Sequence, residues 1–353
     1  MNSEAENREK INKIGNIPMI FVVGCGRSGT TLLQSLLNSH PNIIATPECF
    51  FMVILYPRFA KIKNWTKKDV LDFVEALYSI QNFALWLINK EELTQELISV
   101  MEYADYRLIC RMVYYQMRSK KENVQVIIDK NPASSLFIGR LLRIFPEAKF
   151  IHLVREPKDC VSAHIKRFNK QNTFFIAWYW RGFNASVEKV KQSLPDKFFT
   201  ILYEDFVRNT EQTMMKLCAF IKVPFDSKIM QNQFPEMLPL YSENKTFERI
   251  KVVHEGLLSP INDSNIGKWK KEMNKRDAAI TDLVTGDYAV NKYGYNREGV
   301  TQEDRNSISS FQLLRRKLQY YAWERFTKLR FRNYTFNMYY RRKYKTIIEK
   351  NPS

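Results

Sequence analysis

Runs of apolar residues alternate with amphipathic segments along most of the chain. Four of the runs contain so few polar residues that they are typical of strands buried on both faces of a sheet. Segments with apolar residues at helical spacing lie between them. The predicted strands are IPMIFVVG (17–24), VQVIIDK (124–130), AKFIHLVR (148–155) and KFFTILYEDF (197–206), and the predicted helices are TTLLQSLLNSH (30–40), SSLFIGRLLRIF (134–145) and EPKDCVSAHIKRF (156–168).

This alternation predicts an α/β fold of three layers, with a central parallel sheet flanked by helices on both sides. Ligands bind to such sheets beyond the carboxyl ends of the strands. The polar residues of greatest chemical interest all lie in the last part of a predicted strand or directly after it, namely segment 24–31, Asp129, Lys130, Arg155 and Tyr203. The sequence therefore predicts one ligand site, at the carboxyl edge of the sheet.

Composition shifts divide the chain into segments. Residues 1–16 are polar and are expected to form a flexible N-terminal tail, and residues 17–296 carry the alternating pattern of the main domain. Within that domain, the segment from about residue 65 to residue 121 shows helical patterns without a clear strand, and it is interpreted as a helical insertion. Residues 297–353 are basic and aromatic and are predicted to form a helical C-terminal extension.

The chain has 353 residues, of which 45% are hydrophobic, and this is enough for a large core. Its five cysteines form no C-x-x-C pair and no metal-ligand pattern with the four histidines, so reduced thiols in a reducing compartment are expected. The polar N-terminus lacks a signal region, and no apolar run reaches the roughly 18–20 residues that span a bilayer. A cytoplasmic protein without a transmembrane segment is predicted.

The formal net charge is +18, and the excess is concentrated at the C-terminus. Residues 311–353 contain twelve lysines and arginines, two glutamates and eleven aromatic residues. Three interpretations stay open for this segment. It packs on the main domain with a solvated basic face, it lies peripherally on an anionic membrane, or, as the least favoured interpretation, it binds nucleic acid.

The segment FVVGCGRSGTT (21–31) joins the first predicted strand to the first predicted helix. Gly24 and Gly29 have the spacing of a Walker A loop, but Thr30 stands where that loop requires lysine. A strand, a glycine-rich turn and a helix N-terminus form an anion site, because backbone N–H groups and the helix dipole point at the ligand. Arg27 adds a planar cation that suits phosphate or sulfate. The alternative is a tight strand-to-helix turn in which Thr30 caps the helix.

The segment FIHLVREPKDCVSAHIKRF (150–168) repeats this arrangement. Arg155 ends a strand, Ser162 lies on the following helix, and Lys166 comes one turn later. An arginine and a serine in these positions can reach one phosphate from two sides. The alternative is that Arg155 pairs with an acidic residue in the first turn of that helix. Two anion sites at adjacent strand ends indicate a ligand with two separated phosphates.

These motifs resemble those of sulfotransferases that use 3′-phosphoadenosine-5′-phosphosulfate (PAPS), and the tyrosylprotein sulfotransferases and the related bacterial family are the most similar. VGCGRSGTTLLQSLLNSHPNI (23–43) resembles their 5′-phosphosulfate loop, and LVREPKDCVSAHIKR (153–167) resembles their 3′-phosphate site. The resemblance covers roughly residues 17–296. Further matches are TPECFF (46–51), DKNP (129–132), Tyr203-Glu204, Lys268-Trp269 and Gly294-Tyr295.

The resemblance implies a P-loop-like fold and an in-line transfer of the sulfuryl group from PAPS to a hydroxyl or amine of an acceptor, without a metal ion. It implies Glu48 as the general base, Lys130 as the electrophile at the sulfuryl group or its leaving oxygen, and Arg27 as a catalytic cation. The family's serine lies one residue farther from its arginine than Ser162 lies from Arg155. The residues implied to bind PAPS are Arg27, Ser28, Gly29, Thr30, Thr31, Arg155, Ser162, Lys166, Tyr203, Lys268 and Trp269.

Other interpretations of these residues stay open. Thr46, Pro47 and Glu48 also have the pattern of a helix start, and Lys130 is the kind of residue that ordinarily lies on a surface. A P-loop kinase or other phosphotransferase would use Mg²⁺ and ATP. A non-catalytic nucleotide-binding protein with a basic interaction tail is the third class. No motif names the acceptor, which is a carbohydrate, a lipid, a small molecule or a protein.

Overall fold

Five parallel strands form the centre of the protein in its computed structural model, which describes residues 2–118, 121–168, 172–230, 261–338 and 340. The strands are hydrogen-bonded in the order β2-β3-β1-β4-β5, and every neighbouring pair is parallel. The predicted α/β fold with a central parallel sheet is confirmed. The strands are β1 Met19–Gly24, β2 Ile43–Thr46, β3 Val126–Lys130, β4 Lys149–Val154 and β5 Phe198–Leu202.

Helices connect the strands and extend the chain beyond the sheet. The described α-helices are α1 Asn2–Gly15, α2 Thr30–Ser39, α3 Phe51–Phe59, α4 Lys67–Tyr78, α5 Lys90–Val100, α6 Tyr106–Tyr115, α7 Ile138–Ile144, α8 Pro157–Phe168, α9 Thr173–Lys191, α10 Tyr203–Arg208, α11 Thr210–Ile221, α12 Trp269–Glu272, α13 Lys275–Tyr293, α14 Gln302–Asn306 and α15 Ser310–Arg330. Short 3-10 helices lie between several of them, among them Pro132–Leu136.

The sheet is buried on both faces, which explains why its strands are apolar without interruption. In β1, Phe21 and Val23 pack into a cluster with residues of α1, α3, α4, α5, α6 and α7. Ile20 and Val22 point to the opposite face and pack with residues of α2, α10 and α11. The helices of these two clusters cover the sheet and form the outer layers of the predicted three-layer arrangement.

The N-terminus differs from the flexible tail expected for residues 1–16, because residues 2–15 form α1. Ile14 is 1% exposed and Ile11 packs against the same core cluster. Lys10 forms an ion pair with Glu96 of α5. Two isoleucines three residues apart give this polar helix one apolar side, and the sequence pattern was too short to reveal it.

The segment between β2 and β3 is helical, as predicted for the part from about residue 65 to residue 121. It contains α3, then α4, α5 and α6 with short 3-10 helices between and after them. Two strands differ from the sequence-based predictions. The strand predicted over 197–206 ends at Leu202, because Tyr203 begins α10. Strand β2 was not predicted, since its four residues are too few for a clear pattern.

The C-terminal extension contains α14 and α15, and α15 packs on α9. The two helices approach closely where Gly182 of α9 meets Tyr320 of α15. A methyl group added to Gly182 would lie 2.0 Å from the Tyr320 hydroxyl and 2.6 Å from the ring carbon that carries it. Tyr320 is fully buried, so glycine is required at this crossing.

Replacing Gly182 by alanine is expected to destabilise the protein, because the added methyl group overlaps the buried Tyr320 ring. Overpacking of this kind costs about 1–3 kcal/mol of unfolding free energy. Gly139→Ala in α7 is the matched control, since no atom lies within 4 Å of its added methyl group. The control should be as stable as the parent protein or more stable. Urea denaturation measures both variants, and equal stability would contradict this contact.

Candidate active site

The loop between β1 and α2 has the backbone conformation of an anion-binding turn. Three of its residues have positive φ, namely Gly24 at 128°, Arg27 at 66° and Gly29 at 91°. Helix α2 begins at Thr30, and no side chain caps its N-terminus. The first N–H groups of α2 are therefore not used by a side-chain cap, which suits an anionic ligand. The alternative in which Thr30 caps the helix is wrong, because Gly29 occupies the cap position.

Gly29, Tyr203 and Arg155 form a stack that joins the two predicted anion segments. A methyl group at Gly29 would lie 2.6 Å from the Tyr203 ring, so glycine is required here by contact as well as by its φ angle. The Arg155 guanidinium carbon lies 4.6 Å from the centre of the Tyr203 ring. Arg155 also donates to the carbonyl oxygen of Arg27 at 3.2 Å and to that of Asn265 at 2.6 Å.

The electrostatics of this site favour an anion. Burial lowers the pKa of Arg27, and the nearby Arg167 and Arg155 guanidinium groups lower it further. The Nε atoms of Arg27 and Arg155 are buried and have no hydrogen-bond partner in the described part of the structure. Buried cationic donors without partners are costly unless a ligand satisfies them. A phosphate or sulfate group supplies the acceptor oxygens that these donors require.

Lys130 and Glu48 form an ion pair beside the loop. Nζ of Lys130 lies 2.9 Å from Oε1 of Glu48 and 3.5 Å from Oγ1 of Thr31. The Lys130 side chain is only 6% exposed, so the interpretation of this residue as a surface lysine is wrong. The Glu48 side chain is 47% exposed and can be reached by a molecule from solvent. A carboxylate and an ammonium group thus meet next to the anion loop.

Glu48 does not lie in the first turn of a helix, which was the alternative interpretation of its sequence context. Thr46 is the last residue of β2, and α3 begins only at Phe51. The Thr46 hydroxyl is buried and has no hydrogen-bond partner in the described part of the chain, so it caps nothing. Pairing of β2 with β3 keeps Thr46 extended and moves the helix start beyond Glu48.

The segment after β3 holds the site in place through two residues whose role the sequence did not indicate. Nδ2 of Asn131 donates to the Cys49 carbonyl oxygen at 3.3 Å and to Oδ1 of Asp129 at 2.5 Å. Oγ of Ser135 accepts the N–H of Gly24 at 2.8 Å. This one segment therefore fixes the start of the loop and the residue next to Glu48.

Asp159 holds the segment that contains Lys268 and Trp269. The sequence had left open that an acidic residue of this helix turn pairs with Arg155. Its carboxylate accepts the N–H groups of Gly267 at 2.7 Å and of Trp269 at 2.9 Å. Burial raises the pKa of Asp159, and these hydrogen bonds oppose that change. Nζ of Lys158 lies 4.6 Å from the centre of the Trp269 ring. The N-terminal turn of α8 thus holds Trp269 near the site.

Lys166 and Lys268, which are implied by the sequence resemblance to bind PAPS, contact a surface carboxylate. Lys166 lies 2.9 Å and Lys268 lies 3.7 Å from Oε1 of Glu272 in α12. None of the described hydrogen bonds joins either lysine to the loop. Lys166 is nine residues beyond the start of α8, or about 13 Å along the helix axis. Ser162 lies closer to that start and is buried.

Two short sequence matches, Tyr203-Glu204 and Gly294-Tyr295, meet in space. The Tyr295 hydroxyl donates to Oε2 of Glu204 at 2.7 Å, and Oε1 of Glu204 accepts the N–H of Glu156 at 2.9 Å. Burial raises the pKa of Glu204. Glu204 therefore links the segment after α13 to the residue that follows Arg155.

Cys25, Cys160 and His164 are buried together beneath the loop. Sγ of Cys160 lies 3.7 Å from Sγ of Cys25 and 3.2 Å from the carbonyl oxygen of Gly26. One side-chain donor atom from each of the three residues lies within 4.8 Å of the others, as in a metal site. This cluster differs from the absence of a metal-ligand pattern expected from the sequence. Its local signal is Cys160-x-x-x-His164, a spacing that places both side chains on one side of α8.

The other histidines have structural contacts. Nε2 of His40 lies 2.9 Å from the Pro224 carbonyl oxygen, and Nε2 of the fully buried His152 lies 2.9 Å from Oδ1 of Asn184. These contacts hold both imidazoles within the fold. His254 lies outside the described residues.

A sequence model of the Sulfotransferase family matches residues 18–227. The Protein-tyrosine sulfotransferase of Drosophila melanogaster is 21% identical over 265 residues, which are 72% of this chain and 47% of that protein. Protein-tyrosine sulfotransferase 1 of Danio rerio is 23% identical over 275 residues, which are 75% of this chain and 70% of that protein. The matched region thus spans about half the length of the Drosophila relative.

Solved structures share the fold. The sulfotransferase domain of the Synechococcus PCC 7002 olefin synthase superposes with a TM-score of 0.52 at 22% identity, covering 77% of this chain and 94% of that domain. The sulfotransferase domain from the curacin biosynthetic pathway gives a TM-score of 0.50 at 20% identity, covering 77% and 98%. The P-loop-like arrangement predicted from the sequence is confirmed at the level of the fold.

The buried carboxyl group of Asp129 is expected to make stability depend on pH. Burial raises the pKa of Asp129 to about 7, although the hydrogen bond from Asn131 opposes this. Its contribution to stability is complete below the unfolded-state pKa of about 4 and is lost as the pH rises through about 7. Asp129→Asn should therefore lose less unfolding free energy between about pH 5 and about pH 8 than the parent protein, by on the order of 1–3 kcal/mol.

Urea denaturation at both pH values measures this difference. The variant should keep part of the pH dependence of the parent protein, because burial also raises the pKa of Glu156 to about 7. An unchanged slope in Asp129→Asn would contradict the assignment of a raised pKa to Asp129.

Proposed function

Because the chain belongs to the sulfotransferase family, we propose that it transfers a sulfuryl group from PAPS to a hydroxyl or amine group of an acceptor. The observation that carries this proposal is the Lys130–Glu48 pair, with its 2.9 Å contact, beside a phosphate loop that has no lysine of its own. A base and a cation at this position suit a reaction in which an acceptor loses a proton while a phosphate leaves.

The residues around the loop fit the two anionic groups of PAPS. The backbone of the loop, the start of α2 and Arg27 would hold the 5′-phosphosulfate, with the hydroxyl groups of Ser28, Thr30 and Thr31 as further donors. Arg155 would hold the 3′-phosphate, and Ser162 is proposed to assist it. The buried Nε atoms of Arg27 and Arg155, which have no partner among the described residues, support this fit.

We assign the proton transfer to Glu48. In the proposed step Glu48 takes the proton from the acceptor hydroxyl, and the acceptor oxygen forms a bond to sulfur. The bond between sulfur and the 5′-phosphate oxygen breaks in line, and 3′,5′-ADP leaves. Lys130 stabilises the negative charge that develops on the leaving oxygen, because an ammonium group has three donors and only one is committed to Glu48 at short distance.

Transfer from ATP is less well supported. A P-loop kinase uses the loop lysine and a carboxylate that reaches Mg²⁺. Here Thr30 replaces the lysine, and the Asp129 carboxylate is buried and accepts a hydrogen bond from Asn131. Neither residue favours a metal-bound triphosphate. Calorimetric titration with 3′,5′-ADP and with Mg²⁺-ATP separates the two functions, and selective binding of Mg²⁺-ATP would overturn the proposal.

The acceptor belongs to one of four hydroxyl-bearing classes, namely carbohydrates, lipids, small molecules and proteins. Two matched relatives carry protein-tyrosine sulfotransferase as their name, and this chain matches only part of their length. A screen of all four classes with labelled PAPS and purified protein is the direct test of the acceptor.

Glu48→Gln is expected to keep its affinity for 3′,5′-ADP and to lose at least about a hundredfold in turnover, because the amide cannot accept the proton. Labelled PAPS with an acceptor from the screen measures turnover, and calorimetry measures affinity. Glu75→Gln is the matched control, since Glu75 is also an exposed carboxylate paired with a lysine, at 2.5 Å from Lys90. Turnover of Glu48→Gln equal to that of the control would exclude Glu48 as the base.

Arg155→Ala is expected to weaken 3′,5′-ADP binding by at least about tenfold, because a charge-assisted contact to phosphate is lost. Lys166→Ala should bind with nearly the affinity of the parent protein, since its ammonium group pairs with Glu272. Arg27→Ala should resemble Arg155→Ala. Calorimetry measures all three variants. A larger loss in Lys166→Ala than in Arg155→Ala would contradict this assignment of the 3′-phosphate site.

A further inference from the structure

The side of α15 that faces solvent carries large apolar residues. Phe311, Leu314, Leu318, Tyr321 and Leu329 are 73%, 54%, 61%, 49% and 49% exposed, and we refer to these five residues as the apolar stripe. At about 100° per residue they fall within an arc of about 80°, along about 27 Å of helix. Scattered exposed leucines are ordinary on a protein surface, but several large apolar residues along one side of a helix indicate an interaction surface.

The opposite side of α15 is fixed to the protein. Tyr320 is fully buried, and its ring lies 5.9 Å from that of Phe175 in α9. Thr327 is also buried on this side. The packing interpretation of the C-terminal extension therefore holds for one side of α15 only. The apolar stripe is exposed although the other side of α15 packs on the protein.

Cations surround the apolar stripe. Arg325 projects within the same arc, Arg315 lies at one edge, and Lys317 and Lys328 lie at the other, as the helical spacing requires. Lys328 pairs with Glu324, whereas no described ion pair involves Arg315 or Arg325. An apolar row with arginines and lysines along its edges is typical of helices that lie in the interface of an anionic bilayer.

We propose that the apolar stripe docks the protein onto the surface of an anionic lipid bilayer, with the axis of α15 parallel to the membrane. The leucines and aromatic rings enter the headgroup region, and the long basic side chains reach the lipid phosphates. Of the described helices, none combines the length and the apolar character that crossing a bilayer requires. The polar and packed sides of α15 keep it at the interface.

Two other occupants fit the apolar stripe less well. A second copy of this chain would bring Arg315 and Arg325 against the same residues of its partner, and like charges oppose such a contact. Single-stranded nucleic acid needs exposed rings on which successive bases stack, and three of the five residues of the apolar stripe are leucines. An anionic bilayer satisfies the cations and the leucines together.

The C-terminal end of α15 contacts the segment that carries the candidate base. Phe331, the residue after α15, lies 5.5 Å from Phe50, measured between ring centres, and Phe50 is two residues beyond Glu48. Nη1 of Arg140 donates to the Phe331 carbonyl oxygen at 2.8 Å. These contacts connect the docking helix to the segment that carries Glu48.

Co-sedimentation of the full chain with lipid vesicles tests the proposal without reference to enzymatic activity. The protein should bind vesicles of equimolar phosphatidylcholine and phosphatidylserine and should bind pure phosphatidylcholine far more weakly. Leu314→Gln with Leu318→Gln should weaken binding by at least about tenfold, because two side chains no longer leave water. Arg315→Gln with Arg325→Gln should also weaken it, by about fivefold for each cation at low salt.

The matched control is Leu71→Gln with Met215→Gln, which removes two apolar side chains of similar exposure, 45% and 51%, elsewhere on the surface. It should bind like the parent protein, and thermal unfolding should show that all variants remain folded. The proposal is overturned if the parent protein fails to bind, if the leucine variant binds like the control, or if both vesicle types bind equally. Sedimentation velocity shows whether the protein dimerises. If the parent protein forms a dimer but does not bind vesicles, and only the leucine variant is monomeric, the apolar stripe serves self-association instead.

Discussion

The contact of Arg155 with Tyr203 is the interaction on which the candidate site depends. The guanidinium group lies 4.6 Å from the ring centre on one side, and the Gly29 backbone lies against the same ring. Arg155 also donates to carbonyl oxygens of Arg27 and Asn265, which belong to segments far apart in sequence. Because a guanidinium is planar and has several donors in fixed directions, one side chain can position three segments at once. The anion loop, the end of β5 and the segment before Trp269 are therefore coupled.

Buried carboxylates around this contact are tolerated because backbone N–H groups satisfy them. Asp159 accepts two such groups, and Glu204 accepts the N–H of Glu156 and the hydroxyl of Tyr295. Burial still raises the pKa values of these acids, so their ionised forms are destabilised relative to water. We infer that the protein accepts this cost in order to hold the residues beside Arg155 in fixed positions, as buried networks at functional sites commonly do.

Local patterns were sufficient to predict the strand and the turn at the start of the main domain. The apolar run before Gly24 predicted β1, and the glycine-rich segment after it was correctly predicted to join that strand to a helix. Binding of an anion by this segment stays a prediction. At other positions two local meanings compete or a pattern is too short, and only tertiary contacts separate the alternatives. Glu48 follows a threonine and a proline, as at many helix starts, yet the pairing of β2 with β3 keeps that segment extended. Lys166 has a favourable local position, yet its contact is with Glu272.

The sequence alone determined the α/β class and the edge of the sheet at which the polar residues gather, because strand and helix periodicities are local and parallel strands end on one side. Only the tertiary structure decided which of those residues touch. Lys130 meets Glu48 across 82 positions of sequence, and Arg155 meets Asn265 across 110. The tertiary structure also decided which side of α15 is buried and which remains exposed. Contacts of this kind depend on how distant elements pack, and no local pattern records that packing.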